Sequence, residues 1–302
     1  MSSLILIAMP GDQALAESLA RELNVETAPL EYRRFPDGES YLRLGHSLQG
    51  KAAVLVVRLD RPDPKIPAVL FATDLARDLG ALSVGLVAPY LPYMRQDIRF
   101  HPGEALTSAS FARWISGHFD WLVTVDPHLH RYDRLDEIYS IPSTVVSAAP
   151  ALAGWIAENV EKPVVIGPDE ESSQWVEAVA AHRKLPWRVM RKKRFGDHDV
   201  RIVAPDLCRL QGHTPVLVDD IVSSGATLVR AAEILEQAGL AAPVCTIVHG
   251  LFGQGSKTAL SAAGIRQLVC TDSVDVAEAA IELSPLLATA ITRMNGNAAA
   301  GG

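Results

Sequence analysis

PVLVDDIVSSGATLVRAAEIL, Pro215 to Leu235, sets an apolar run, two adjacent carboxylates and a small-residue turn directly before residues with helical spacing. The run reads as a buried strand, Asp219 and Asp220 fall at its carboxyl end, and Ser223-Ser224-Gly225 turns the chain into a helix. Such a strand–turn–helix unit belongs to a parallel sheet. In open sheets of that kind, ligands bind beyond the carboxyl ends of the strands.

The same signature recurs in both directions. Short aliphatic runs fall at Leu4–Ala8, Ala53–Val57, Val84–Ala88, Leu122–Val125, Val164–Ile166, Val216–Val218, Val244–Val248 and Gln267–Cys270. Between them lie amphipathic stretches such as Asp12–Leu23, Ala68–Leu79, Ser172–Arg183 and Leu228–Gln237. Nearly all-apolar strands alternating with helices predict an α/β fold with a parallel sheet covered on both faces. The pattern restarts after SIPSTVVSAAP, where Pro142 and Pro150 bracket a Ser-rich stretch. Two domains are therefore expected, residues 1–147 and 148–302, with the tail NGNAAAGG either fraying or packing back.

Composition narrows the partners. Across 302 residues, 48% are hydrophobic and 21% charged, enough apolar surface for a globular chain. A net charge of −7 lacks the basic footprint that nucleic acid requires. Cys208, Cys245 and Cys270 are widely spaced and odd in number, which predicts neither disulfides nor a thiol zinc site and fits a reducing cytoplasm. No apolar stretch is long and unbroken enough to cross a membrane, and the start carries no positive segment of a signal peptide.

The chemistry of the opening stretch is that of a phosphorylated sugar. Hydroxyls and backbone N–H groups at a helix N-terminus suit a phosphate. Two acids beside that cradle would repel a bare phosphate, whereas the hydroxyls of a sugar ring satisfy them by hydrogen bonding. The plainer alternative has Asp219 and Asp220 capping a helix and Gly225 only permitting the turn. No G-x-x-x-x-G-K-[ST] stretch is present, so a P-loop is not expected.

The DD-x-x-S-S-G-A-T element resembles the phosphoribosyl-diphosphate motif shared by type I phosphoribosyltransferases and ribose-phosphate pyrophosphokinases. Four further segments favour the second family. RRFPDGESYLRL (Arg33–Leu44) is similar to the segment that holds the adenine of ATP, often supplied by a neighbouring subunit. PYLPYMRQDIRFHPGEALTS (Pro89–Ser108) resembles the stretch whose Arg-Gln pair contacts ATP. VDPHLH (Val125–His130) resembles the Asp-x-His metal segment, and IGPDEESSQWVEAVA (Ile166–Ala180) occupies the place of the pyrophosphate loop.

The resemblance implies two tandem type I phosphoribosyltransferase-like domains and transfer of the β,γ-diphosphoryl group of Mg-ATP to the anomeric hydroxyl of ribose 5-phosphate. ATP would be held by Phe35, Asp37, Gly38, Glu39, Arg95, Gln96 and Asp97. Ribose 5-phosphate would be held by Arg194, Asp219, Asp220, Ser223, Ser224, Gly225, Ala226 and Thr227. Mg²⁺ would be bound by His128 and Asp169, with His130 a rival to His128, since magnesium ordinarily prefers oxygen ligands. Lys192 and Arg194, in the basic run MRKKRFGDHD, would stabilise the transferring group from a mobile loop; a solvated basic face is the default reading of that run. A homo-oligomer, dimer or hexamer, is also implied. Many members of the family carry Asp where Ser223 stands and Gly-Gly where Glu171-Ser172 stand, and the Ser-containing version resembles the archaeal-type branch. Two other readings stay open at this point: a phosphoribosyltransferase that consumes phosphoribosyl diphosphate, and a silent regulatory partner of an active synthetase.

Overall fold

A computed structural model of the chain describes residues 3–194, 200–203 and 207–300, and within 191–194, 200–203, 208–209 and 297–300 it describes the backbone alone. The chain divides into two compact units. One comprises Met1–Val146 with Ser273–Asp275 and Leu283–Gly302, and the other Ser147–Asp272 with Val276–Glu282.

The first unit contains β1 (Leu4–Ala8), α1 (Gln13–Leu23), β2 (Glu26–Ala28), β3 (Leu30–Arg34), β4 (Ser40–Leu44), β5 (Ala52–Val56), α2 (Ile66–Asp78), β6 (Ser83–Ala88), α3 (Thr107–His118), β7 (Trp121–Val125) and β8 (Ser143–Val146). The second contains α4 (Ala149–Asn159), β9 (Pro163–Gly167), α5 (Ser173–Arg183), β10 (Trp187–Val189), β11 (Arg191–Arg194), β12 (Val200–Val203), β13 (Thr214–Val222), α6 (Ala226–Gln237), β14 (Val244–Gly250), α7 (Ser256–Ala262), β15 (Gln267–Thr271) and β16 (Ala279–Ile281). The last helix, α8 (Ser284–Ala300), returns to the first unit. There Ser18 Oγ donates to Ser284 Oγ at 2.9 Å, and Thr144 Oγ1 donates to Met294 Sδ at 3.1 Å. The Ala-rich tail is therefore helical through Ala300, in keeping with alanine's high helix propensity.

Both sheets are parallel throughout and follow one plan. The first runs β2-β1-β5-β6-β7-β8 and the second β10-β9-β13-β14-β15-β16. In each, a two-stranded antiparallel ribbon, β3-β4 or β11-β12, interrupts the path between the second and third strands of the sheet. Central strands are buried on both faces: every residue of β5, β7 and β14 is buried, which is why they read as β-branched and aliphatic runs with few polar residues. Ser143–Val146, inside the stretch read as a Ser-rich boundary, forms the edge strand β8. Among the described residues, no helix is long and apolar enough to cross a membrane.

Strand order reverses between β1 and β5 in the first unit and between β9 and β13 in the second. In the first, Asp12 and Arg58 fill that point, 3% and 6% exposed, with Arg58 Nη1 at 3.3 Å from Asp12 Oδ1 and Arg58 N donating to Asp12 Oδ2 at 3.2 Å. Burial pushes the Asp12 carboxyl up to about 7 despite the opposing pull of Arg58. Desolvation thus outweighs the attraction, as is usual for a buried pair.

Close packing in the first sheet depends on Gly85. It sits directly opposite Trp121 on the neighbouring strand, and a Cβ at Gly85 would lie 2.1 Å from the indole Cζ2. Trp121 is 1% exposed and has nowhere to move. Gly85→Ala should therefore destabilise the chain by about 1–3 kcal/mol through overpacking, read as a fall in the midpoint of urea unfolding. An unchanged midpoint would mean that the strands separate to admit the methyl group.

Candidate functional site

The reversal point of the second sheet carries the acids singled out in the sequence. Asp169 follows β9, and Asp219 and Asp220 stand in β13. The sequence suggested that the strand stops before the acids. Instead it runs on to Val222, because β14 is long enough to pair with it beyond them, Asp219 opposite Ile247 and Ile221 opposite His249. Asp220 is 8% exposed. Burial first, then the Asp220 and Asp169 carboxylates, push the Asp219 carboxyl up to about 8. The three acids thus act on one another electrostatically, and together they oppose further negative charge.

Asp169 serves its own turn as well. Its Oδ1 accepts from the backbone N–H groups of Glu171 at 3.1 Å and Ser172 at 3.2 Å. Ser172 Oγ donates to Asp169 O at 2.6 Å and lies so close over the preceding strand that a Cβ at Gly167 would meet it at 2.4 Å. Ser172 therefore closes the loop with its hydroxyl, a structural use for a residue that departs from the common Gly-Gly. Glu170 and Glu171 are exposed, so water screens their charge. Glu170 also borders an open cleft of about 760 Å³ with Ser173 and the segment Leu185–Val189.

The turn after β13 is held from behind. Ser223 O accepts from Gly253 N at 2.8 Å, and Val222 O from Phe252 N at 3.0 Å. Gly225 has φ +77 and caps α6, a conformation that glycine adopts without a Cβ penalty. A Cβ there would also press on Leu260 at 3.2 Å. Ser224, Ala226 and Thr227 are exposed and Ser223 is half-buried, so the turn presents hydroxyls and helix N–H groups at the same edge as the acids.

In the first unit, Phe35, Asp37, Gly38 and Glu39 form the tip of the β3-β4 ribbon. Phe35 N donates to Glu39 O at 2.8 Å, Gly38 N to Phe35 O at 2.9 Å and Glu39 N to Asp37 Oδ1 at 3.2 Å. Phe35 is 40% exposed. The Arg33 guanidinium lies 4.6 Å from the Phe35 ring centroid and 4.0 Å from that of Tyr41, its cross-strand partner, so one cation packs against both rings.

Arg95, Gln96 and Asp97 follow β6, with Arg95 exposed. Gln96 Oε1 accepts from Thr107 Oγ1 at 3.0 Å, which leaves its amide nitrogen to other partners. Asp97 pairs with Arg131, Nε to Oδ1 3.6 Å. Arg131 lies just beyond His128 and His130, so this ion pair links the Arg-Gln-Asp segment to the histidine segment. Sequence reading missed it, because nothing in the spacing of Asp97 and Arg131 signals contact. His128 and His130 follow β7 with their rings stacked, centroids 4.7 Å apart. His130 thus accompanies His128, and the geometry does not select between them as ligands. Among the described residues, no group of three His, Cys, Asp or Glu side chains forms a metal site. The backbones of Lys192 and Arg194, which the resemblance places on a mobile loop, lie on β11, paired antiparallel with β12; their side chains lie outside the described residues.

Comparison with known proteins gives concordant results. The family model for the N-terminal domain of ribose phosphate pyrophosphokinase matches residues 4–117, and that for the phosphoribosyl transferase domain matches residues 135–285. A ribose-phosphate pyrophosphokinase of Methanopyrus kandleri is 34% identical over 295 residues, covering 97% of this chain and all of its own. One from Halobacterium salinarum is 31% identical over 288 residues, covering 95% of this chain and 100% of its own. The crystal structure of phosphoribosylpyrophosphate synthetase from Mycobacterium smegmatis superposes with a TM-score of 0.83 at 24% identity, covering 98% of this chain and 99% of that one, and so shares the fold.

The raised Asp219 carboxyl has a measurable sign. A group held at about 8 when folded, against roughly 4 when unfolded, favours folding most below about pH 4, and that contribution is lost as pH rises through 8. Asp219→Asn removes the titration. In chelator-treated protein, wild type should lose more than about 1 kcal/mol relative to Asp219→Asn between pH 4 and pH 8, measured by denaturant unfolding at each pH. A constant difference across that window would show that Asp219 is already ionised at low pH in the folded chain.

Proposed function

The chain belongs to the ribose-phosphate pyrophosphokinase family, and on that premise we propose which residues carry out its reaction. The enzyme is a diphosphotransferase. The anomeric hydroxyl of ribose 5-phosphate attacks the β-phosphorus of ATP and releases its proton to solvent, the bond from that phosphorus to the α,β-bridging oxygen breaks, and AMP leaves as phosphoribosyl diphosphate forms.

The observation that carries the assignment is the meeting of Asp219, Asp220 and the Ser223–Thr227 turn at the carboxyl edge of the second sheet. The acids accept hydrogen bonds from the ribose hydroxyls, and the turn with the α6 N-terminus takes the 5-phosphate. In the first unit, Phe35 offers an exposed ring to the adenine, Asp37, Gly38 and Glu39 shape the tip around it, and Arg95, Gln96 and Asp97 make up the second ATP segment. Lys192 and Arg194 neutralise charge on the transferred group, and Arg194 also contacts the sugar phosphate. No general base is assigned, because phosphoryl-type transfer is driven mainly by positioning and electrostatics.

Magnesium fits the acidic edge by donor chemistry. Asp169 offers a hard oxygen, and the raised Asp219 carboxyl marks an edge where a cation relieves repulsion. His128 is the second ligand that the family resemblance implies. When bound, Mg²⁺ supplies positive charge to the diphosphoryl oxygens. The buried free thiols of Cys245 and Cys270 agree with a cytoplasmic enzyme. The family also implies a homo-oligomer, dimer or hexamer, and light scattering that returned the mass of a single chain would overturn that part of the reading.

Purified chain should release AMP from Mg-ATP only when ribose 5-phosphate is present, with phosphoribosyl diphosphate formed in equal amount. Lys192→Ala should lower turnover about a hundredfold or more with little change in ribose 5-phosphate affinity. Asp220→Ala should weaken that affinity roughly tenfold. Near-normal turnover in Lys192→Ala would reduce the basic run to a solvated face.

A further inference from the structure

The loop Asp60–Lys65 of the first unit has no part in the reaction as described above, yet it is fixed from several sides. Lys65 Nζ donates to Asp60 Oδ1 and to Arg58 O, both at 2.7 Å, which draws the loop onto the buried Asp12–Arg58 pair. Lys65 N donates to Pro62 O at 2.8 Å, and Pro62 and Pro64 restrict the backbone between these anchors. From the β3-β4 ribbon, Arg34 Nη2 reaches Pro64 O at 3.4 Å. The loop is thus a stiff post that projects Asp63 outward.

Tyr93 is tied to that post. Its hydroxyl donates to Asp63 Oδ1 at 2.5 Å. Its backbone is left-handed, with φ +63, a conformation that a bulky aromatic residue adopts only where its surroundings impose it. Two contacts besides the Asp63 bond impose it here. The ring packs on Phe111 at 4.9 Å between centroids, and Tyr93 O accepts from Gln96 N at 3.3 Å. The turn at Tyr93 therefore determines how Arg95 and Gln96 leave the end of β6. Burial and then the Asp63 carboxylate push the Tyr93 phenol up to about 12, so it remains a donor at any working pH.

We propose that Tyr93 and Asp63 are positioning residues for ATP: their hydrogen bond fixes the left-handed turn that aims Arg95 and Gln96 at the nucleotide. The proposal rests on the assignment of Arg95 and Gln96 to ATP. Because Asp63 is exposed, losing the bond costs little global stability, and the effect falls on nucleotide affinity instead.

The test is steady-state kinetics of Tyr93→Phe, Asp63→Ala, their double variant and Asp63→Asn, with Arg95→Ala as reference and thermal unfolding of each. Tyr93→Phe keeps the ring on Phe111, and Asp63→Asn keeps an acceptor oxygen. The first two should each raise the KM for ATP about fivefold, with kcat and the ribose 5-phosphate KM within about twofold of wild type. The double variant should be no worse than either single, and Asp63→Asn should restore the ATP KM. If Arg95→Ala raises the ATP KM while Tyr93→Phe and Asp63→Ala do not, the positioning role is overturned and the ATP assignment stands. If Arg95→Ala leaves the ATP KM unchanged, the assignment itself fails and the proposal falls with it. A lower melting temperature with no change in KM, or additive effects in the double variant, also overturns it.

Discussion

A parallel strand buried on both faces has little room for a charged side chain along its length, and in this chain charge gathers at the carboxyl ends. The candidate acids and histidines follow from that constraint, whereas Phe35–Glu39 and Lys192–Arg194 stand on the two antiparallel ribbons. The central strands are uncharged along their length between the helix layers, apart from a few buried polar residues such as Thr124 and Thr246, so charge collects where they emerge. Asp12 follows β1, Arg58 follows β5, His128 follows β7, Asp169 follows β9, and Asp219 and Asp220 ride the end of β13. Reversal of strand order then opens a gap between neighbouring loops at that edge, and the residues beside the gap are the ones able to meet a ligand.

Crowding acids at such an edge has an electrostatic cost, seen at Asp219, whose carboxyl is raised by burial and by two neighbouring carboxylates. On the function proposed above, the ribose hydroxyls and a divalent cation would offset that cost. The same reasoning explains why the exposed Glu170-Glu171 pair is tolerated beside the loop: those charges stay in water, where screening is effective. Ser172 then shows how a departure from the common loop sequence is accommodated, since its hydroxyl makes the turn's closing bond and sits against Gly167.

The legible parts of the fold were those with a strong period or a long apolar run. Leu4–Ala8 coincides with β1, and the runs read for β5, β6, β7, β9, β14 and β15 lie within a residue or two of the strands. The short, half-exposed edge strands at Glu26–Ala28 and Ala279–Ile281 gave no such run and were not read. Arg95–Asp97 and the Asp219–Thr227 element were recognised because each is a contiguous word. Arg131 paired with Asp97, Arg33 packed on Phe35 and Tyr41, and Asp63 bonded to Tyr93 escaped notice, because these partners are set by turns and cross-strand register rather than by spacing along the chain.

The two units trace the same path, ribbon included, yet their reversal points differ in charge. In the first, Arg58 supplies a counter-ion from within the chain and Asp12 is closed off with it. In the second, Asp219 stands beside Asp220 and Asp169, whose carboxylates raise it further after burial. A doubled architecture does not make two equivalent edges. The ion pair at one of them makes the repeat unequal: neighbouring acids at the reversal point of one unit, and in the other a paired point that anchors the loop beside it.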